Sequence, residues 1–237
     1  MSYHNTINLF KRYFERQIKL AQKSLKREEM PHHPFVTISR QTGAGNVQFP
    51  EKLVLSLNEK DKEAKKNWML FDKNILEAVL EEHDLPKEIS KYMPEKKISE
   101  IQDVLEQLFG LHPSERKLVK EISDTIIHLA HFGNVVLVGR GSNLITQSYP
   151  NGLHIRIISS IDSRIENMRR YFKMTRNAAI KLIKKEDKDR SSYIKKYFSK
   201  DVNDPSMYSM ILNFDFISIS DSIDMITEEV LRIRKKL

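Results

Sequence analysis

Residues 35–50 read FVTISRQTGAGNVQFP, and this stretch decides the fold. Phe35 to Ser39 is a short apolar run with the length and β-branched content of a buried strand. Gln41-Thr42-Gly43-Ala44-Gly45 follows as a turn, and Pro50 stands where the first turn of a helix tolerates a residue without an N–H. Strand, glycine turn and helix in that order let backbone amides approach an anion closely, with the positive end of the helix behind them. A complete phosphate loop has the form G-x-x-x-x-G-K-[ST]. With its second glycine set at Gly45, Arg40 occupies the first glycine position, Asn46 the lysine and Val47 the hydroxyl. Most of the defining positions differ, so the turn alone reads equally as a plain strand-to-helix connection.

The flanking chain repeats the pattern. Trp68 to Phe71 reads as a second strand, with Asp72 as N-cap of a helix through Ile75, Leu76 and Val79. Residues 84–132 read as helical apart from turns at Pro86, Pro94 and 110–113, with Gly133 as the final stop. Val135 to Val138 is a third strand, running into Gly139-Arg140-Gly141-Ser142-Asn143, a turn that opens another helix. Leu153 to Ile158 is a fourth strand and Met210 to Ile217 a fifth. Strands that alternate with helices imply a parallel sheet covered on both faces. At the N-terminus, Ile7, Phe10, Phe14, Ile18, Ala21 and Leu25 recur at helical spacing, until the prolines of MPHHP (30–34) end the pattern. The expected organisation is an amphipathic helix over 1–30 and an α/β domain over 34–237.

Composition narrows the classes of function. The 237 residues carry 40 Lys and Arg against 32 Asp and Glu, a net charge of +8 that raises phosphate-bearing partners. Between Ile161 and Lys200 there are thirteen basic and five acidic residues, so this one segment holds the whole excess. No apolar run reaches the ~18 residues of a membrane span, and the N-terminus lacks a signal-type apolar stretch. Cysteine is absent, which removes disulfide frameworks, thiolate metal sites and cysteine nucleophiles. A cytoplasmic protein is expected. His128 and His131 lie three apart without an acidic partner and read as surface residues, so no metal site is expected. Tyr193, Tyr197 and Phe198, at helical spacing among lysines, read as packing before base stacking, and Met168 and Met174 as core candidates.

Taken together, TISRQTGAGN (37–46), FDKNILEAV (71–79), GNVVLVGRGSN (133–143), HIRIISSIDSRIE (154–166), DKDRSSYIKKYF (187–198) and DPSMY (204–208) resemble the cytidylate kinase-like family of P-loop proteins in order and spacing. The resemblance covers about residues 34–235. It implies a P-loop NTPase-type three-layer sandwich with a five-stranded parallel sheet, a helical nucleoside-monophosphate-binding region over 84–132, a basic helical lid over 161–200 and an N-terminal helical extension. Gly43, Ala44 and Gly45 look like the family's triphosphate loop, with Asn46 in place of its lysine. Asp72 resembles the aspartate beside the acceptor nucleotide. Arg140 looks like the arginine of a Gly-Arg-Asp turn whose aspartate is Gly141 here. Asp187 and Arg190 resemble the lid Asp-x-x-Arg.

The expected activity is therefore transfer of the ATP γ-phosphoryl group to a nucleoside monophosphate, with CMP or dCMP favoured by the resemblance and Mg²⁺ carried by the nucleotide. Such chemistry needs two phosphate-bearing substrates in line and cations between them. Arg140 is expected on the acceptor phosphate, and Arg190 with Lys184, Lys185 or Lys188 over the donor, where Arg40 can stand in for the missing lysine. Losing one preorganised donor typically costs about 10² to 10³ in rate. Asn46 and Val47 therefore sustain a rival expectation: a nucleotide-binding module with impaired turnover, acting through a protein partner or a second copy at its N-terminal helix. Nonspecific nucleic-acid binding follows from charge alone and ranks third.

Overall fold

A computed structural model describes residues 33–45, 47–64, 67–72 and 113–237. Numbered along these residues, the elements are β1 (Phe35–Arg40), α1 (Phe49–Lys60), β2 (Met69–Phe71), α2 (Pro113–Phe132), β3 (Val135–Val138), α3 (Ser142–Ile145), β4 (Gly152–Ile158), α4 (Ile161–Phe172), α5 (Arg176–Phe198), β5 (Met210–Asn213) and α6 (Ile219–Arg234), with a 3₁₀ turn at Pro205–Met207. The five strands form one parallel sheet in the order β2-β3-β1-β4-β5. With helices on both faces, this is the expected α/β three-layer sandwich around a five-stranded parallel sheet.

The strand sequences explain the layering. A strand alternates its side chains between faces, and strands apolar at every position are buried on both. Phe35, Val135 and Leu137 enter one core with Ile126, Leu129 and Phe198, from α2 and α5. Val36, Ile38 and Val136 enter the other with Leu53, Leu57, Ile226 and Val230, from α1 and α6. A third, smaller cluster of Ile165, Met168, Ala179 and Ile183 joins α4 to α5. The carboxyl ends of β1, β2 and β3 therefore open on one side of the sheet, beneath α5.

Local chemistry sets the boundaries, some of which differ from the sequence reading. Trp68 lies outside β2 because the Asn58 side chain takes its backbone N–H (2.7 Å) and its carbonyl (3.2 Å), while its indole donates to Asp61. β5 ends at Asn213, not Ile217, since the Asn213 carbonyl accepts from both Phe216 and Ile217 and its side chain accepts from the Asp215 N–H, closing a turn. Pro50 does sit in the first turn of α1, and Gly133 follows α2 at a φ of 64°. The basic segment is two helices, with Lys173 in left-handed conformation ending the first and the Thr175 hydroxyl capping the second. His128 and His131 are buried, contrary to the surface expectation, because the C-terminal half of α2 is enclosed on all sides. Met168 is in the core and Met174 packs against it, as read. The N-terminal helix, the helix after Asp72, residues 84–112 and Asn46 fall outside the described residues. Among the described residues no helix is long and apolar enough to cross a membrane.

Candidate active site

The turn after β1 is held from above by the two helices α4 and α5. Asp187 Oδ1 accepts the Thr42 N–H at 2.9 Å, and the Thr42 hydroxyl donates to Glu186 at 3.2 Å. Arg190 donates to the Thr42 hydroxyl oxygen at 3.1 Å and to Asp187 at 2.8 Å. Arg164 pairs with the other Asp187 oxygen, and Asn167 donates to the Gly43 carbonyl at 2.9 Å. Burial opposes ionisation of Asp187, but the Thr42 N–H, Arg164 and Arg190 outweigh it and hold its carboxyl below the usual range. Asp187 and Arg190 of α5 thus clamp the glycine turn as well as bringing positive charge to it.

The glycines of the turn have a packing reason of their own. A Cβ at Gly43 would stand 2.7 Å from the Arg164 carbonyl oxygen, and one at Gly45 would enter the Phe214 ring at 2.5 Å. Ala44 N–H donates back to Gln41. Among the described residues of this turn, the amides of Gly43 and Gly45 make no bond within the protein, and both residues are partly exposed. Two amides are therefore available to an anion, a fit to a phosphate group that is partial because Thr42 is already engaged.

Two cavities flank this clamp. The larger, about 570 Å³, lies over the strand ends and is lined by Arg40, Asp72, Arg140, Asp189, Arg190 and Tyr193 among others. The smaller, about 250 Å³, lies against the glycine turn and reaches Tyr171, Phe172 and Met174. Arg40, Glu186 and Arg190 line both. Arg40 is partly buried, and burial together with the nearby Arg190 charge depresses its pKa, while Asp72 and Glu186 act in the opposite sense.

Arg140 has a φ of 56°, between Gly139 and Gly141, both also left-handed. A non-glycine residue in that conformation costs about 1–2 kcal/mol. The turn nonetheless carries an arginine there, aimed into the larger cavity with its guanidinium 5.8 Å from the centre of the Tyr193 ring. Burial, opposed by Arg140, pushes the Tyr193 hydroxyl up to about 12, so it remains a phenol.

Of the residues singled out from sequence, Arg40, Asp72, Arg140 and Arg190 share the larger cavity, while Gly43, Ala44 and Gly45 line the smaller. Asp187 lines neither and acts on Arg190 and Thr42. Val47, in the hydroxyl's place, is exposed at the rim of the smaller cavity. Lys184, Lys185 and Lys188 are exposed and line neither cavity, because their positions on α5 face away from the clamp; Arg190 is the α5 cation that reaches over the site. Sequence reasoning missed Thr42, Arg164 and Tyr193 as a wall residue. For Arg164 the available signal was its place one turn into the helix after β4, near the carboxyl ends of the strands. Among the described residues no group of three His, Asp or Glu side chains is arranged to hold a metal.

The family model for the cytidylate kinase-like family matches residues 35–215. Among solved structures, an uncharacterized protein from Eubacterium ventriosum ATCC 27560 aligns over 84% of this chain and 98% of its own, with 19% identity and a TM-score of 0.63. That likeness bears on the fold alone. A shikimate kinase from Bacteroides thetaiotaomicron covers 83% of this chain and 98% of its own at 16% identity, with a TM-score of 0.41. No curated protein matches the chain.

Proposed function

Because this chain belongs to the cytidylate kinase-like family, we propose that it is a nucleotide phosphotransferase that moves the ATP γ-phosphoryl group to a nucleoside monophosphate, with CMP or dCMP as the acceptor its family favours. The observation that carries this is the shared wall: Arg40, Glu186 and Arg190 separate a cavity over the strand ends from one at the glycine turn. Two phosphate-bearing ligands, one in each cavity, would present their phosphates to the same two guanidinium groups. Phosphoryl transfer asks a protein for positioning and for cations on developing charge more than for covalent chemistry.

In this scheme the Gly43 and Gly45 amides hold the donor phosphates, and Arg140 holds the acceptor phosphate from the end of β3. An oxygen of that phosphate attacks the γ-phosphorus, the bond to the bridging oxygen breaks, and ADP leaves. Arg40 and Arg190 lie where charge builds on the moving group, and Asp187 keeps Arg190 there. Mg²⁺, which kinases of this kind generally use, would arrive on the nucleotide and neutralise phosphate charge. Glu186 on the wall of both cavities, and Asp72 and Asp189 on the wall of the larger, are the carboxylates that would face its water shell.

A coupled assay of the full chain across the common monophosphates with ATP and Mg²⁺ tests the reading. We expect turnover with at least one acceptor and a loss of about 10²-fold in kcat for Arg190→Ala. No turnover on any acceptor by folded protein would overturn it. A second reading, nucleotide binding without turnover, is favoured by one observation: the Thr42 N–H, at the head of the glycine turn, is already taken by Asp187. Calorimetry distinguishes the two, since this reading expects ATP or CMP binding with no product. In it, a protein partner or a second copy engages residues 1–30, and their deletion abolishes association while leaving nucleotide affinity intact.

A further inference from the structure

We propose that Arg156 is a positioning residue for the acceptor, a buried cation kept free of carboxylates one side chain behind the cavity wall, whose charge favours an anionic group in that cavity. The proposal rests on the reading of the larger cavity as the acceptor site. Arg156 lies on β4 opposite Ser39 of β1 and is 4% exposed. Its guanidinium donates to the Ser39 hydroxyl oxygen at 2.7 Å and to the Asn203 side-chain oxygen at 3.3 Å, and stands 5.9 Å from the centre of the Tyr208 ring. All three partners are neutral. Among the described residues no carboxylate forms an ion pair with it. The acid whose field reaches it, Asp187, is committed to the Thr42 N–H, Arg164 and Arg190.

The same chain shows how it buries a guanidinium for structure alone. Arg234, comparably enclosed, donates twice to the buried carboxylate of Asp61, at 2.7 and 3.0 Å. A buried charge without such a partner is costly, and it persists where something else repays it. Of the three groups beside Arg156, Ser39 and Tyr208 line the 570 Å³ cavity. Its charge therefore acts across a wall one residue thick, where water screens little. Burial and the neighbouring Arg190 and Arg164 charges depress its pKa, against the opposing influence of Tyr208 and Asp187. A nucleoside monophosphate supplies an anion, and the uncharged nucleoside does not. Arg156 is thus a determinant of phosphate over hydroxyl at the acceptor end.

Titration calorimetry of the full chain and its Arg156→Met, Arg156→Gln and Arg156→Lys variants, with CMP, cytidine and inorganic pyrophosphate, tests this. The expected result is a loss of about tenfold (~1.4 kcal/mol) in CMP affinity for the two neutral variants, no change for cytidine, and recovery of most of the loss in Arg156→Lys. A purely structural role predicts equal losses for CMP and cytidine, and an unchanged CMP-to-cytidine ratio in the neutral variants overturns the proposal. Arg156→Gln keeps an amide donor for Ser39 and decides the matter if Arg156→Met does not fold. Pyrophosphate separates the two readings. If the wild type binds no monophosphate, the acceptor-site assignment fails, while a tenfold drop in pyrophosphate affinity in Arg156→Gln still supports the charge role and no drop overturns it.

Discussion

Replacing Asp187 by Asn keeps the shape of the clamp and removes its charge, so the energetic consequence can be worked from the contacts. Asp187 joins the Thr42 N–H (2.9 Å), Arg190 (2.8 Å) and Arg164. An asparagine oxygen can still accept from Thr42. What is lost is the negative charge between two guanidinium groups. The bond to Arg164, whose side chain is 9% exposed, is worth about 2 kcal/mol as a charge-assisted hydrogen bond in a dry setting. Arg190 is 30% exposed, and its share is discounted to about 1 kcal/mol. The expected loss is about 3 kcal/mol at neutral pH. As a control, Asp162→Asn breaks the pair with Arg176, exposed on both sides, and should cost no more than about 0.5 kcal/mol. Urea unfolding followed by the fluorescence of Trp68, the one tryptophan of the chain, reads both. Because the Asp187 carboxyl titrates lower in the folded protein than in the unfolded chain, its stabilisation is complete above the unfolded value of about 3.9 and fades as pH falls through the folded one. The gap between wild type and Asp187→Asn should therefore narrow in acid. A gap below 1 kcal/mol at pH 7, or one indifferent to acid, refutes the reasoning.

Gly43→Ala puts a Cβ against the Arg164 carbonyl at a φ of 79° and should cost at least about 2 kcal/mol. Gly139→Ala, at a φ of 81° with nothing within 4 Å of its Cβ, should cost only the ~1 kcal/mol of conformation; thermal melts compare the two. Asp61→Asn leaves Arg234 buried without its anion and should lose about 3–5 kcal/mol in urea unfolding, with a shifted Trp68 emission because the indole N–H donates to the same carboxylate. Burial lowers His154 to about 4, so its neutral form stabilises the fold above the unfolded value of about 6.5, and about 3 kcal/mol of stability is lost as pH falls to 4. Burial raises Asp124 to about 6 and lowers His128 to about 4, shifts that largely cancel over the same range. The urea stability of His154→Gln should then fall less steeply between pH 7 and 4 than that of wild type, and equal slopes would discount the reading.

Much of the scaffold was legible because it depends on local pattern. FVTIS, VVLV and LHIRII are apolar beyond simple alternation, which only a sheet buried on both faces accommodates. Glycines after β1 and β3, Pro50 in α1 and Gly133 after α2 mark chain turns whose backbone geometry follows from the residue itself. Arg140 was legible through the resemblance of its turn between two glycines to the family's Gly-Arg-Asp, while its left-handed backbone is seen only in the structure. The ends of β2 and β5 were not legible, since the side chains of Asn58 and Asn213 intercept backbone groups that an apolar run would otherwise pair.

The linear chain, then, determined the alternation of strands and helices, the position of the turns and the concentration of positive charge in 161–200, because each of these arises between residues near one another in sequence. Only the tertiary structure decided which charges count. Lys184, Lys185 and Lys188 point to solvent while Arg190 reaches over the site, since orientation on α5 is set by its packing. Asp187 meets Thr42 across the fold, and Arg156 lies buried beside Ser39 with no ion-paired acid among the described residues. Such pairings join residues more than a hundred positions apart, as Thr42 with Asp187 and Ser39 with Arg156 do, and no local periodicity encodes them.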